Sequence, residues 1–161
     1  MSSERKIIDR FNIDYKFLSN FQASTFFYDG KRYATVEHAY QAMKSTDPIE
    51  QEKIRNAVSP SQAKKFGKNV QLRGDWENIK VDVMRELLEI KFQNPFLRHK
   101  LIATGDATLI EGNTWGDTYW GVCKGVGENV LGKLLMELRD KINEEEQTEL
   151  KEWTVQSTKK L

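Results

Sequence analysis

A chain of 161 residues with 39% hydrophobic, 11% aromatic and 30% charged side chains has the composition of an ordinary globular protein, with length for one domain around a real core. Its 25 basic and 24 acidic residues leave a net charge of +1, which argues against a dedicated duplex-DNA binder but leaves room for a local basic patch around one phosphate. The single cysteine, Cys123, excludes an internal disulfide and a CxxC zinc pattern, and the two histidines, His38 and His99, lie too far apart in sequence to announce a metal cluster.

Met1 to Arg10 lacks the apolar stretch of a signal peptide, and no apolar run reaches membrane-spanning length, so a cytoplasmic protein without a membrane partner is expected. Phe26–Tyr28, Asp29-Gly30 and Lys31–Ala34 read as a tight hairpin, because Asp-Gly suits the positive φ angles of a type I′ turn. Thr35 is the expected N-cap of a helix over 36–45. Asp47-Pro48 and Ser59-Pro60 each start a further helix with proline in its first turn, and Gly67 is the expected stop of the second. The longest helical stretch is 77–92, with Ile79, Val83, Leu87 and Ile90 at helical spacing and Met84 and Leu88 beside them. Asn94-Pro95 opens another helix that ends near Thr104-Gly105, and Thr108–Ile110 is a short strand. The stretch 115–127 is rich in glycine and tryptophan and reads as irregular. An amphipathic helix follows over 130–142, with Leu131, Leu134, Leu135, Leu138 and Ile142 on one side. The polar tail 143–161 reads either as a solvated helix or as partly disordered. The expected fold is α+β and mainly helical: one domain over 1–142 with a small sheet or hairpin near its N-terminus.

Three segments carry chemistry-bearing residues. In Thr35–Lys44, helical geometry places Val36, Ala39, Tyr40 and Met43 on a buried face and Glu37, Gln41 and Lys44 in a wedge along its edge. Glu37 and Lys44 are then either solvated charges beside a core face or groups facing a cleft. In the second case partial burial would tune a lysine into an amine nucleophile and a carboxyl into a general acid or base. In Glu111–Gly121, one acid, Asp117, is surrounded by Trp115, Tyr119, Trp120 and several glycines. That pattern suits either close approach to a flat ligand or a turn-rich loop pinned by aromatic packing. Leu18–Phe21 is short, and Asn20 alone reads as a turn residue. Trp76, before the long helix, reads by itself as a core staple. Gly125-Val126-Gly127 does not complete a dinucleotide fingerprint, and no nucleophile-elbow spacing is present.

Taken together and in order, these segments resemble the NADAR (YbiA-like) family. The resemblance rests on Leu18-Ser19-Asn20-Phe21, Tyr33 with Thr35–Ala42 and Lys44, and Trp76. It continues through Lys91-Phe92 with Asn94-Pro95, Asp117 with Trp120-Gly121, and Gly127, Asn129, Leu131-Gly132, Leu134–Met136 and Arg139. It covers about Phe11 to Ile142, and its first and last long motifs are specific in combination. One departure is Ser45, where many members carry phenylalanine after the lysine; it is expected to alter packing more than chemistry.

The resemblance implies a mainly α-helical fold with a cleft and cleavage of an N-glycosidic bond. Family activities include hydrolysis of early riboflavin-pathway intermediates, the 5-amino-6-ribosylaminopyrimidine phosphates, and removal of ADP-ribose from modified guanine. By motif, Glu37, Lys44, Trp76, Asp117 and Trp120 are the site positions. Glu37, Lys44 and Asp117 are expected to be catalytic, and Asn20, Phe21, Gln41, Trp76 and Trp120 to bind substrate. Glu37 and Asp117 are the candidates for protonating the leaving nitrogen and positioning water, with acid and base unassigned between them. Lys44 is a candidate for a Schiff base with the opened ribose. Arg55, Lys64, Lys65 or Arg73 would meet the substrate phosphate. The near-neutral charge favours a small ribosyl nucleotide over ADP-ribosylated nucleic acid as the partner. A non-catalytic module binding ADP-ribose or a nucleotide is the reading from another class. No metal or organic cofactor motif is present, and the oligomeric state is not legible.

Overall fold

The computed structural model describes residues 4–160, so Met1–Ser3 of the N-terminal segment and Leu161 of the polar tail lie outside the described residues. Its contacts gather into two compact units. One is the continuous segment Asn12–Arg98; the other joins the segment up to Phe11 with the segment from His99 onward.

The Asn12–Arg98 unit opens with a 3-10 turn over Ile13–Leu18. The antiparallel hairpin β2 (Phe26–Tyr28) and β3 (Lys31–Tyr33) follows, with Phe27 opposite Arg32. Its turn has φ of 50° at Asp29 and 73° at Gly30, the type I′ geometry expected of Asp-Gly. Four helices then succeed one another: α1 (Val36–Ala42), α2 (Pro48–Arg55), α3 (Pro60–Gly67) and α4 (Trp76–Lys91). The caps explain the starts. Thr35 Oγ1 accepts from the His38 amide, Asp47 from Ile49, and Ser59 from Gln62. Proline follows the cap in α2 and α3, where its missing N–H costs nothing. Leu18, Val36, Ala39, Ala63, Met84, Leu87 and Leu88 close the core around α1. Tyr28 ties the hairpin to α4 by donating its hydroxyl to Glu86 at 2.9 Å; burial and that carboxylate push its phenol up to about 12.

Two expectations need correction here. The first helix ends at Ala42, not at position 45; Met43 and Lys44 form a tighter final turn, with the Lys44 amide donating to Gln41 O at 3.3 Å. On α4 the buried face runs through Trp76, Val83, Met84, Leu87, Leu88 and Lys91, while Ile79 and Ile90 are only half-buried. Lys91 follows Met84 by two turns and so lies inside the stripe, while Ile90 stands about 100° away at its margin.

The other unit contains β1 (Ile7–Ile8), which pairs in parallel with β4 (Thr108–Leu109), and β5 (Gly112–Asn113), which pairs in parallel with β6 (Val122–Cys123). The boundary at Arg98 and His99 falls inside α5 (Pro95–Ala103). Helix α6 runs from Val130 to Lys159, and its buried stripe of Leu131, Leu134, Leu135, Leu138 and Ile142 is the one the sequence marked out. From Glu144 to Lys159 the helix is almost wholly exposed, including Leu150 and Trp153. Among the described residues, no helix is long and apolar enough to cross a membrane.

Candidate functional site

Helix α1 has no solvent face: all seven of its residues are buried. Glu37 is 7% exposed and Gln41 3%. This removes the reading of Glu37 as a solvated charge beside the core. Burying a carboxylate is costly unless donors meet it, and Gln41 Nε2 donates to Glu37 Oε1 at 2.8 Å across one helical turn. Room for that pair comes from Gly67 on α3, where a Cβ would stand 1.9 Å from Gln41 Oε1. The Gln41 Oε1 acceptor has no hydrogen-bond partner.

The N-terminus of α1 is held at two points. His38 bridges to Ala57: its Nε2 donates to the Ala57 carbonyl at 3.0 Å, so its Nδ1 is left to accept from the Thr35 hydroxyl at 2.8 Å. The first-turn amide of Glu37 donates to Asn20 O at 3.1 Å, which places the Ser19–Phe21 turn directly against the catalytic candidate. Asn20 is itself buried. Its Nδ2 reaches Met84 Sδ at 3.6 Å, and its Oδ1 has no partner. Phe21 is 41% exposed, with its amide donating to Ser19 Oγ at 3.1 Å.

Lys44 sits in the turn that ends α1, and Arg73 N donates to its carbonyl at 2.9 Å. Its Nζ lies 5.5 Å from the centre of the Tyr40 ring, and that ring packs on Trp76 with centroids 5.1 Å apart and a 56° tilt. The Lys44 amine is held below the ordinary lysine range. Burial is the main cause; the Glu37 carboxylate opposes it, and the ammonium groups of Lys64, Lys68 and Lys80 add to it. Glu37, Gln41, Lys44, Asn20, Phe21 and Trp76 thus all belong to the Asn12–Arg98 unit, around α1.

Asp117 and Trp120 belong to the other unit. Asp117 Oδ1 accepts from the amides of Tyr119 at 3.1 Å and Trp120 at 2.9 Å, so one carboxylate oxygen folds the loop. Asn113 holds the same loop from outside, accepting from Asp117 N at 3.0 Å and donating to Asp117 O at 2.8 Å. The Trp120 ring stands edge-on to Tyr119, and the Trp120 carbonyl accepts from Leu131 N at the start of α6. The turn-rich reading of this loop is the one these contacts describe: Asp117, Asn113 and the Tyr119–Trp120 ring contact hold it.

The phosphate candidates separate. Arg55 is ion-paired with Glu52 and also donates to Arg32 O, and Arg73 is paired with Asp75 at 2.6 Å. Lys64 is one of three lysines acting on Lys44, together with Lys68 and Lys80, which the sequence did not single out. Tyr40 was marked only as a core residue, and Lys91 only as part of a motif. The three lysines converge from two helices, and no spacing within one segment announces that. Among the described residues, no group of three or more His, Cys, Asp or Glu side chains is arranged to hold a metal ion.

Comparison with known proteins gives the family and the fold. The model of the NADAR domain matches residues 8–143. The N-glycosidase YbiA of Shigella boydii serotype 4 is 45% identical over 133 residues, covering 80% of this chain and 82% of the relative. A riboflavin biosynthesis protein of Vibrio vulnificus is 39% identical over 132 residues, covering 80% of this chain and 36% of that longer protein. The NMR structure of Escherichia coli YbiA superposes with a TM-score of 0.81 at 40% identity, covering 90% of this chain and 89% of that one, and shares its mainly helical α+β fold. The chain belongs to the NADAR domain family.

Proposed function

We infer that this protein is an N-glycosidase that hydrolyses the ribosyl–nitrogen bond of riboflavin-pathway intermediates, the 5-amino-6-ribosylaminopyrimidine phosphates. The observation that carries the reading is local to α1. A buried carboxylate, Glu37, is oriented by Gln41 about two turns before a lysine, Lys44, whose amine is biased toward its neutral form. The relatives named N-glycosidase and riboflavin biosynthesis protein support the bond type and the substrate class.

The chemistry follows from those groups. When the ribosylamine ring opens, the anomeric carbon becomes an imine carbon. The neutral Lys44 amine adds to it, a carboxyl group protonates the leaving nitrogen, and the carbon–nitrogen bond to the pyrimidine breaks. The imine is then carried by Lys44. Water adds to it, ribose 5-phosphate leaves, and the free lysine returns. Glu37 is the carboxyl group for the proton transfers within this unit. The Tyr40–Trp76 pair walls the Lys44 amine, and the acceptor Asn20 Oδ1 is a group that reads a substrate N–H or O–H donor. Lys64, Lys68 and Lys80, whose charges act on the Lys44 amine, supply the positive field for the phosphate.

Mass analysis of products tests this, with the pure protein incubated with 5-amino-6-ribosylaminopyrimidine 5′-phosphate and, separately, with ADP-ribosylated guanine in DNA. Release of ribose 5-phosphate from the first, lost in Glu37→Gln, is the expected result. Release of ADP-ribose from the second alone would replace the substrate assignment. Turnover of neither, with retained binding of ADP-ribose, would make the protein a binding module.

A further inference from the structure

One buried ionisable group has no part in the chemistry above. Lys91, at the end of α4, is 1% exposed. Its Nζ donates to the carbonyl of Ser19 at 2.9 Å and lies 5.1 Å from the centre of the Phe92 ring. Burial alone pulls its amine down to about 7. An apolar residue at this position would avoid that desolvation, because the neighbouring face of α4 is made of Met84, Leu87 and Leu88. The lysine's reach and its donor therefore call for an explanation.

What it holds is the turn beside Glu37. Ser19 O also accepts from Gln22 N at 3.2 Å, which closes the turn over 19–22. The next carbonyl, Asn20 O, takes the Glu37 amide, and the Asn20 side chain reaches Met84. Met84 and Lys91 are seven residues apart, two turns along one face of α4. The turn is thus clamped to α4 at two points and to the first turn of α1 at a third. We propose that Lys91 is a positioning residue: its buried side chain fixes the Ser19 carbonyl and so sets where Asn20 and Phe21 meet the substrate. This rests on the reading of Asn20 and Phe21 as substrate-binding residues. Lys91 itself touches no reacting atom. Its nitrogen donates whether charged or neutral, so the clamp persists on both sides of its titration.

Steady-state kinetics of Lys91→Met on the ribosylaminopyrimidine phosphate is the test, read as KM against kcat. A displaced turn raises KM by roughly tenfold with kcat within about a factor of three, because binding contacts are lost while Glu37 and Lys44 remain. A merely structural loss lowers the active fraction, which lowers apparent kcat and leaves KM unchanged; an unchanged KM overturns the proposal. Lys91→Arg, which keeps a long donor, is expected to recover most of the KM, and serves alone if Lys91→Met does not fold. Amide hydrogen exchange needs no substrate and separates this proposal from the substrate assignment. In Lys91→Met the Gln22 and Glu37 amides should exchange at least about tenfold faster than in the wild type, and in Lys91→Arg at close to the wild-type rate, with Met43 N, bonded to Ala39 O, as the internal reference. Equal protection at Gln22 and Glu37 in Lys91→Met would sink the clamp even if the enzyme turns over.

Discussion

Gln41 Nε2 donates to Glu37 Oε1 at 2.8 Å while the other amide atom of Gln41, Oε1, lies against the bare Cα of Gly67. The orientation of the Glu37 carboxylate is therefore transmitted from α3 through one side chain. Gly67→Ala is expected to force Gln41 out of this position. Destabilisation of about 1–3 kcal/mol, together with a fall in kcat, should appear in chemical unfolding and steady-state rates. Unchanged rates and stability would mean that Gln41 has room to move, and that α3 does not set the carboxylate.

Glu37→Gln removes the ionisable oxygen and keeps the shape. The variant should stay folded by circular dichroism and lose about a hundredfold to ten-thousandfold in kcat, the range of a general acid–base group. Near-normal turnover would remove Glu37 from the proton transfers.

Lys44→Ala should abolish turnover, and borohydride added during wild-type turnover should leave a mass adduct on Lys44. Absence of an adduct from an active enzyme would remove the covalent route. The pH dependence has a definite sign. In the proposed mechanism the nucleophile is the neutral amine, so kcat/KM is expected to rise with pH through the Lys44 pKa, with that limb below the ordinary lysine range. Replacing Lys64 and Lys68 by glutamine removes charges that depress this pKa. The rising limb should then move to higher pH; a shift to lower pH, or none, would show that the lysines do not act on Lys44.

Lys91 makes stability depend on pH. Its folded value of about 7 lies below the unfolded value near 10.5, so between those limits the unfolded chain binds more protons. The penalty for burying Lys91 is full below pH 7, shrinks as pH rises through the window, and vanishes above about pH 10.5. Wild-type stability relative to Lys91→Met should therefore increase from pH 7 to pH 10 in matched urea titrations. A constant difference would mean that the buried amine is not depressed.

A protein ending at Asn143 is expected to keep both fold and turnover. We propose that the functional domain is complete over 1–142, since α6 beyond Asn143 contributes no buried residue. Loss of activity in that truncation would assign the exposed helix a part in function.

Much of the fold was legible in the sequence because single-segment signals decide it. Asp29-Gly30 dictates the hairpin turn, Thr35, Asp47 and Ser59 cap their helices, and the leucine stripe of α6 faces inward. The short strand β1 was missed because its partner β4 lies a hundred positions away, and two residues carry no alternation to read. Glu37, Gln41 and Lys44 were placed together correctly, but at an edge. Helical spacing shows which residues share a face, and not that α2, α3 and α4 cover every side of α1. Lys91 was invisible for the same reason. On its own helix it is one more charge near a C-terminus, and only the Ser19 carbonyl, distant in sequence, makes it a buried anchor.

A helix with no outside has no neutral positions. Every residue of α1 is under constraint from packing, from the Thr35–His38–Ala57 bridge or from the glutamate–glutamine pair. A random substitution anywhere in those seven residues disturbs either the core or the chemistry. The outer half of α6 stands at the other extreme, where most changes meet only water. Tolerance to substitution in this protein is therefore expected to follow solvent contact, and to be lowest where the polar side chains are most deeply hidden.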